Sequence, residues 1–175
     1  MARSRPRLSL LEAALLLCIV GIVLAVFIPT FARRVRTNKV LEASEVLQEL
    51  SQRTASYYAA DWNADRRHCL PPSAGPTPKV PTVEAEEVDF FSPEALGHTT
   101  WEALEFQPER PVRYSYRFTP SESGCDLGAE SRVVWSAEGD LDGDGVQSVF
   151  ERRATPMPDG TLQTNGTLRV HRRVE

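Results

Sequence analysis

Residues 8–31 read LSLLEAALLLCIVGIVLAVFIPTF, an apolar run in which Glu12 is the one charged side chain. Coiled as a helix, a run of that length rises roughly 36 Å, enough to cross a bilayer core with some tilt. Arg3, Arg5 and Arg7 precede it. The run is too long for a cleavable secretory segment, and no small-x-small cleavage site follows it. Leu17 stands before Cys18 where lipidation wants a small residue, and apolar sequence continues behind it. The stretch therefore reads as a retained anchor. A carboxylate inside such a helix costs about 2.5 kcal/mol or more on insertion scales, so Glu12 is expected to have a task.

The helical pattern continues past Pro29. Val40, Ala43, Leu47, Leu50, Thr54 and Tyr57 recur at spacings of three and four, with Glu42, Glu45, Gln48, Glu49 and Arg53 on the other faces. This predicts an amphipathic helix contiguous with the anchor, about 50 residues in all, whose apolar stripe must be buried against a sheet. Pro29 removes one backbone bond at a cost of about 3 kcal/mol. The alternatives are one helix kinked or loosened there and two helices broken there. Beyond residue 61 the pattern changes. Residues 66–87 are Pro-rich and read as a connecting loop ending in the acidic run Glu84-Ala85-Glu86-Glu87. Residues 101–106 suggest a helical turn. Residues 112–118 and 132–137 read as strands, 146–153 as a third, and 162–170 as a closing hairpin turning at Asn165-Gly166. The fold class expected is α+β, a long N-terminal helix packed on a small antiparallel sheet. The expected organisation is a basic leader at 1–7, a transmembrane helix at 8–31, its amphipathic continuation at 32–61 and a globular α+β head at 62–175.

Within 175 residues there is room for one membrane helix and one modest domain. A net charge of −4 argues against a nucleic-acid binder that works by bulk charge, although Arg33-Arg34-Val35-Arg36 and the basic C-terminal residues Arg169, His171, Arg172 and Arg173 are local clusters. The motifs of serine hydrolases, phosphate loops and zinc proteases are absent, and His68, His98 and His171 are scattered. No enzyme is expected. Cys69 and Cys125 both fall in turn-rich sequence of the head. An oxidising compartment favours a bridge between them, closing a long loop; two free thiols are the alternative.

Asp140-Leu141-Asp142-Gly143-Asp144-Gly145, with Glu151 beyond five further residues, fits a calcium-loop pattern. Alternate aspartates on a tightly curled loop converge on one point, the carbonyl of Val146 adds an oxygen, and Ser148 acts directly or through water. A hard cation needs six to eight such oxygens. The competing reading is a solvated Asp-Gly turn that holds no metal.

The N-terminal order Leu8-Ser9-Leu10-Leu11-Glu12, then Gly21 and Ile28-Pro29-Thr30-Phe31, resembles that of type IV pilins and type II secretion pseudopilins. In that family a glutamate is the fifth mature residue, a glycine the fourteenth and a proline the twenty-second. Counted from Leu8, Glu12, Gly21 and Pro29 take those places. The resemblance implies a pilin-like subunit stored in the inner membrane, leader inside and head in the periplasm, whose helix packs with those of other pilin or pseudopilin subunits in an extracellular filament or a secretion pseudopilus. It implies as partners an inner-membrane assembly machinery and a prepilin peptidase. That peptidase cuts after a glycine, and Arg7 stands there, so cleavage between Arg7 and Leu8 is expected to be slow or absent. Glu12 is expected to set axial register against a cationic group of a neighbour. The alternative from another class is a single-pass anchored calcium-binding or adhesive domain that never polymerises.

Overall fold

The structure, a computed structural model, describes residues 10–60, 68–141, 143 and 145–171, and for residues 29–40 the backbone alone. The chain divides into two compact units, Met1–Val40 and Leu41–Glu175. Helix α1 spans Leu10–Ala59, 50 residues, and runs through Pro29 without interruption, so the two-helix alternative does not occur. Six short strands and one short helix follow: β1 is Ala74–Thr77, α2 His98–Ala103, β2 Ser115–Pro120, β3 Val133–Gly139, β4 Ser148–Pro156, β5 Leu162–Thr164 and β6 Arg169–His171. The molecule is thus α+β, with an N-terminal apolar helix and a small antiparallel sheet.

The sheet order is β1-β2-β3-β4-β5, with β6 also pairing to β4. Two sequence expectations need correction here. The loop expected over 66–87 contains β1, an Ala-Gly-Pro-Thr strand. Proline is tolerated there because β1 lies at a sheet edge, where a missing N–H breaks no second ladder. The closing hairpin is also different. β5 and β6 do not pair with each other; both run antiparallel to β4, Ala154 facing Thr164 and Glu151 facing Arg169. Asn165-Gly166 interrupts one edge strand instead of turning a hairpin, and Asn165 N–H donates to Arg153 O at 3.0 Å.

Within the second unit, the middle of the periodic stripe of α1 is buried as expected, while Tyr57 at its end is half-buried beside a buried Tyr58, and the side chain of Val40 lies outside the described residues. Ala43, Leu47, Leu50 and Thr54 are fully buried, each large aliphatic side chain contributing about 1.5–3 kcal/mol by leaving water. They join Tyr114, Tyr116, Phe118, Val133, Trp135, Ala137 and Phe150 from the strands in one core. Phe90 holds the aromatic side of that core, with its ring centroid 5.4 Å from Trp101 and 5.5 Å from Phe106, both edge-on. Polar atoms at the helix–sheet contact are paired: Trp135 Nε1 donates to Thr54 Oγ1 at 3.0 Å, and Thr54 donates to Leu50 O at 2.8 Å. Cys69 and Cys125 are bonded, flanked by an antiparallel bridge in which Leu70 N–H donates to Gly124 O at 2.9 Å and Gly124 N–H to Leu70 O at 2.7 Å.

Candidate functional site

Two features carry chemistry that a self-contained core does not use, one in each unit. The first is the apolar part of α1. Leu10–Ile28 is long and apolar enough to cross a membrane. None of its large side chains is buried: Leu10 is 92% exposed, and Leu17, Ile22, Phe27 and Ile28 are likewise open. Glu12 and Cys18 are exposed on the same helix. An uncovered apolar surface of this extent is not tolerated in water, so lipid or other protein must cover it. Gly21 and Pro29 lie on the same uninterrupted helix, while Arg7 and Leu8 lie outside the described residues.

The second feature is the turn joining β3 to β4. Asp140 winds it, Oδ1 accepting from Gly143 N–H at 2.9 Å and Oδ2 from Gly145 N–H at 3.0 Å. Gly143 and Gly145 hold φ of 76° and 84°, the left-handed region that suits glycine. Leu141 turns inward and is buried, while Val146 is exposed. Asp142 and Asp144 lie outside the described residues. Of the remaining ligand candidates, Ser148 is buried and donates its hydroxyl to Gly139 O at 3.1 Å. Glu151 sits further along β4 opposite Ser136, its carboxylate 2.6 Å from Arg153 Nη2 and 3.8 Å from His171 Nε2. Both side chains are thus engaged on the sheet, and of the expected ligands Asp140 and Val146 lie in the turn among the described residues. Among the described residues no group of three or more His, Cys, Asp or Glu is placed to hold a metal ion.

One polar arrangement was not legible in the sequence, where Glu42 reads as a solvated face. Its carboxylate accepts from Arg113 N–H at 2.7 Å and from Arg113 Nη1 at 2.8 Å, with side-chain exposures of 15% for Glu42 and 30% for Arg113. Glu45–Arg110 at 3.9 Å and Arg53–Glu105 at 3.6 Å repeat the pattern in weaker, more exposed form. Residues 105–113 therefore run antiparallel along α1 as a charged strap. Burial, reinforced by the nearby Glu42 charge, pushes the Tyr114 and Tyr116 hydroxyls well above the usual phenol range, keeping both neutral. No protein-family model matches the chain, and neither a curated protein nor a solved structure matches it significantly.

Proposed function

We propose that this chain is a pilin-like or pseudopilin-like structural subunit, held in the inner membrane by the apolar part of α1 with its head in the periplasm, and assembled through that helix into a pilus or secretion pseudopilus. The observation that supports this reading most is the fully uncovered apolar stretch Leu10–Ile28, continuous with the helix whose later turns carry the head's core. Its sides are open for lipid in storage and for like helices in a filament. Glu12, one charge near the start of that stretch, acts in register: neighbouring copies dock where it meets a cation and not where it would be left desolvated alone. The work of the molecule is assembly rather than catalysis. A photo-cross-linker at Leu16 in the full-length chain, in its own membrane, tests the reading. A ladder of homo-oligomers is expected, and monomer alone would overturn it.

The β3–β4 turn is the proposed calcium site of the head. Asp140 fits the role because both its carboxylate oxygens are turned onto the loop, accepting from the Gly143 and Gly145 amides. With Ser148 and Glu151 engaged on the sheet, Asp142, Asp144 and the Val146 carbonyl would complete the protein's share. Such a site is oxygen-poor and belongs with extracellular modules, at dissociation constants of about 10⁻⁴ to 10⁻³ M.

A further inference from the structure

The two edges of the sheet differ in chemistry. At one edge β1 is followed by residues 78–89, which continue along the segment leading into β2: Thr82 N–H donates to Arg113 O at 2.9 Å, and Glu86 and Val112 exchange two backbone bonds. This edge carries exposed Glu84, Glu86, Glu87 and Asp89 against a single cation, Lys79. Pro76 and Pro78 remove donors from it, so it cannot add a regular strand. At the far edge β6 is exposed throughout and, among the described residues, pairs with β4 alone. It contains no proline, and exposed Arg169 stands opposite Glu151 of β4, the one acid beside the half-buried Arg152 and Arg153, with Arg153 and His171 both meeting that carboxylate.

We infer that the heads of successive copies meet edge to edge, the acidic β1 edge of one against the basic β6 edge of the next, an inference that rests on the assembly reading above. Because the two patches lie on opposite edges of one sheet, the contact is heterologous: each copy that uses one edge leaves the other open, which propagates instead of closing into a pair. The prolines make it a contact of side chains, since a blocked edge cannot extend a backbone ladder into uncontrolled strand addition. Complementary charge then sets which edge meets which and rejects like against like.

Full-length chains in the membrane, with Cys18→Ala in every copy, provide the test. One tagged copy carries Val83→Cys at the acidic edge and a second, differently tagged, carries Val170→Cys at the basic edge. Disulfide cross-links are expected between the two kinds of copy and not within either kind. Glu84→Lys with Glu86→Lys in the first copy, or Arg169→Glu in the second, should each lower the cross-link on the order of tenfold. Combining the reversals should restore it, which also shows that the variants fold. Equal cross-linking within one kind, or indifference to the reversals, would overturn the inference. So would the absence of head cross-links while a cross-linker at Leu16 still joins the anchors. If the anchors are not joined either, the assembly reading falls and takes this contact with it.

Discussion

Glu42 shows how a single residue fixes the head on its helix. Its carboxylate satisfies both a backbone N–H and a guanidinium of Arg113, and the pair is mostly withdrawn from water. Removing one partner of such a pair leaves the other desolvated, so Glu42→Ala should destabilise a soluble fragment of residues 32–175 by about 2–3 kcal/mol in urea unfolding, whereas Glu45→Ala, at an exposed pair, should change it by less than about 1 kcal/mol. Glu122 and Asp159 make a pH prediction. The Ser131 hydroxyl and the Gly128 amide hold the Glu122 carboxyl below its usual range, and the Thr161 hydroxyl and amide do the same for Asp159. A carboxyl that titrates lower when folded stabilises its loop above the ordinary carboxylate range, and the contribution disappears as pH falls through the lowered value. The protection factors of the Gly128 and Thr161 amides, exchange rates corrected for their intrinsic pH dependence, should therefore fall on acidification ahead of those of the core, and Glu122→Gln should remove that fall at Gly128 only.

At the scale of elements, the helix–sheet contact and the disulfide are the two joints that matter most. Thr54→Val keeps the volume but leaves the buried Trp135 indole N–H without an acceptor, a loss of about 1–3 kcal/mol in the same fragment. Replacing Cys69 and Cys125 by serine frees a separation of 56 residues and should cost about 2–4 kcal/mol, visible as a lower melting temperature. How far these elements were legible in the sequence follows from their physics. α1 announces itself because its apolar spacing is local and repeats over many turns. β3 was legible through Val133-Val134-Trp135, a dense β-forming run. β1 was not, since Ala-Gly-Pro-Thr has turn composition and becomes a strand only because β2 offers it an edge. The split of the last strand into β5 and β6 likewise depends on β4, which Asn165-Gly166 alone cannot reveal. Cys69 and Cys125 were the one cysteine pair outside the apolar run, yet Glu42 and Arg113, 71 residues apart, gave no local sign of meeting. The acidic turn was legible as a pattern, while the engagement of Ser148 and Glu151 on the sheet is a matter of register that spacing does not encode.

The whole molecule joins an apolar helix that needs covering to a head that folds around the later turns of the same helix, and each part makes a separate prediction. For the head, millimolar calcium added to a chelator-treated fragment should stabilise it, by about 2.7 kcal/mol at a hundredfold excess over the dissociation constant. Magnesium should do less because it resists losing its waters. Asp140→Ala should abolish the shift, and an unchanged melting temperature would reduce the turn to an Asp-Gly connection. For the apolar helix, the proposed assembly requires Glu12 to act between copies and not in membrane residence. The most direct measurement is Leu16 photo-cross-linking of full-length Glu12→Ala beside the natural chain, with alkaline extraction of the same membranes. The variant is expected to stay in the membrane as well as or better than the natural chain while its oligomer ladder collapses. A ladder of unchanged length and intensity would contradict it.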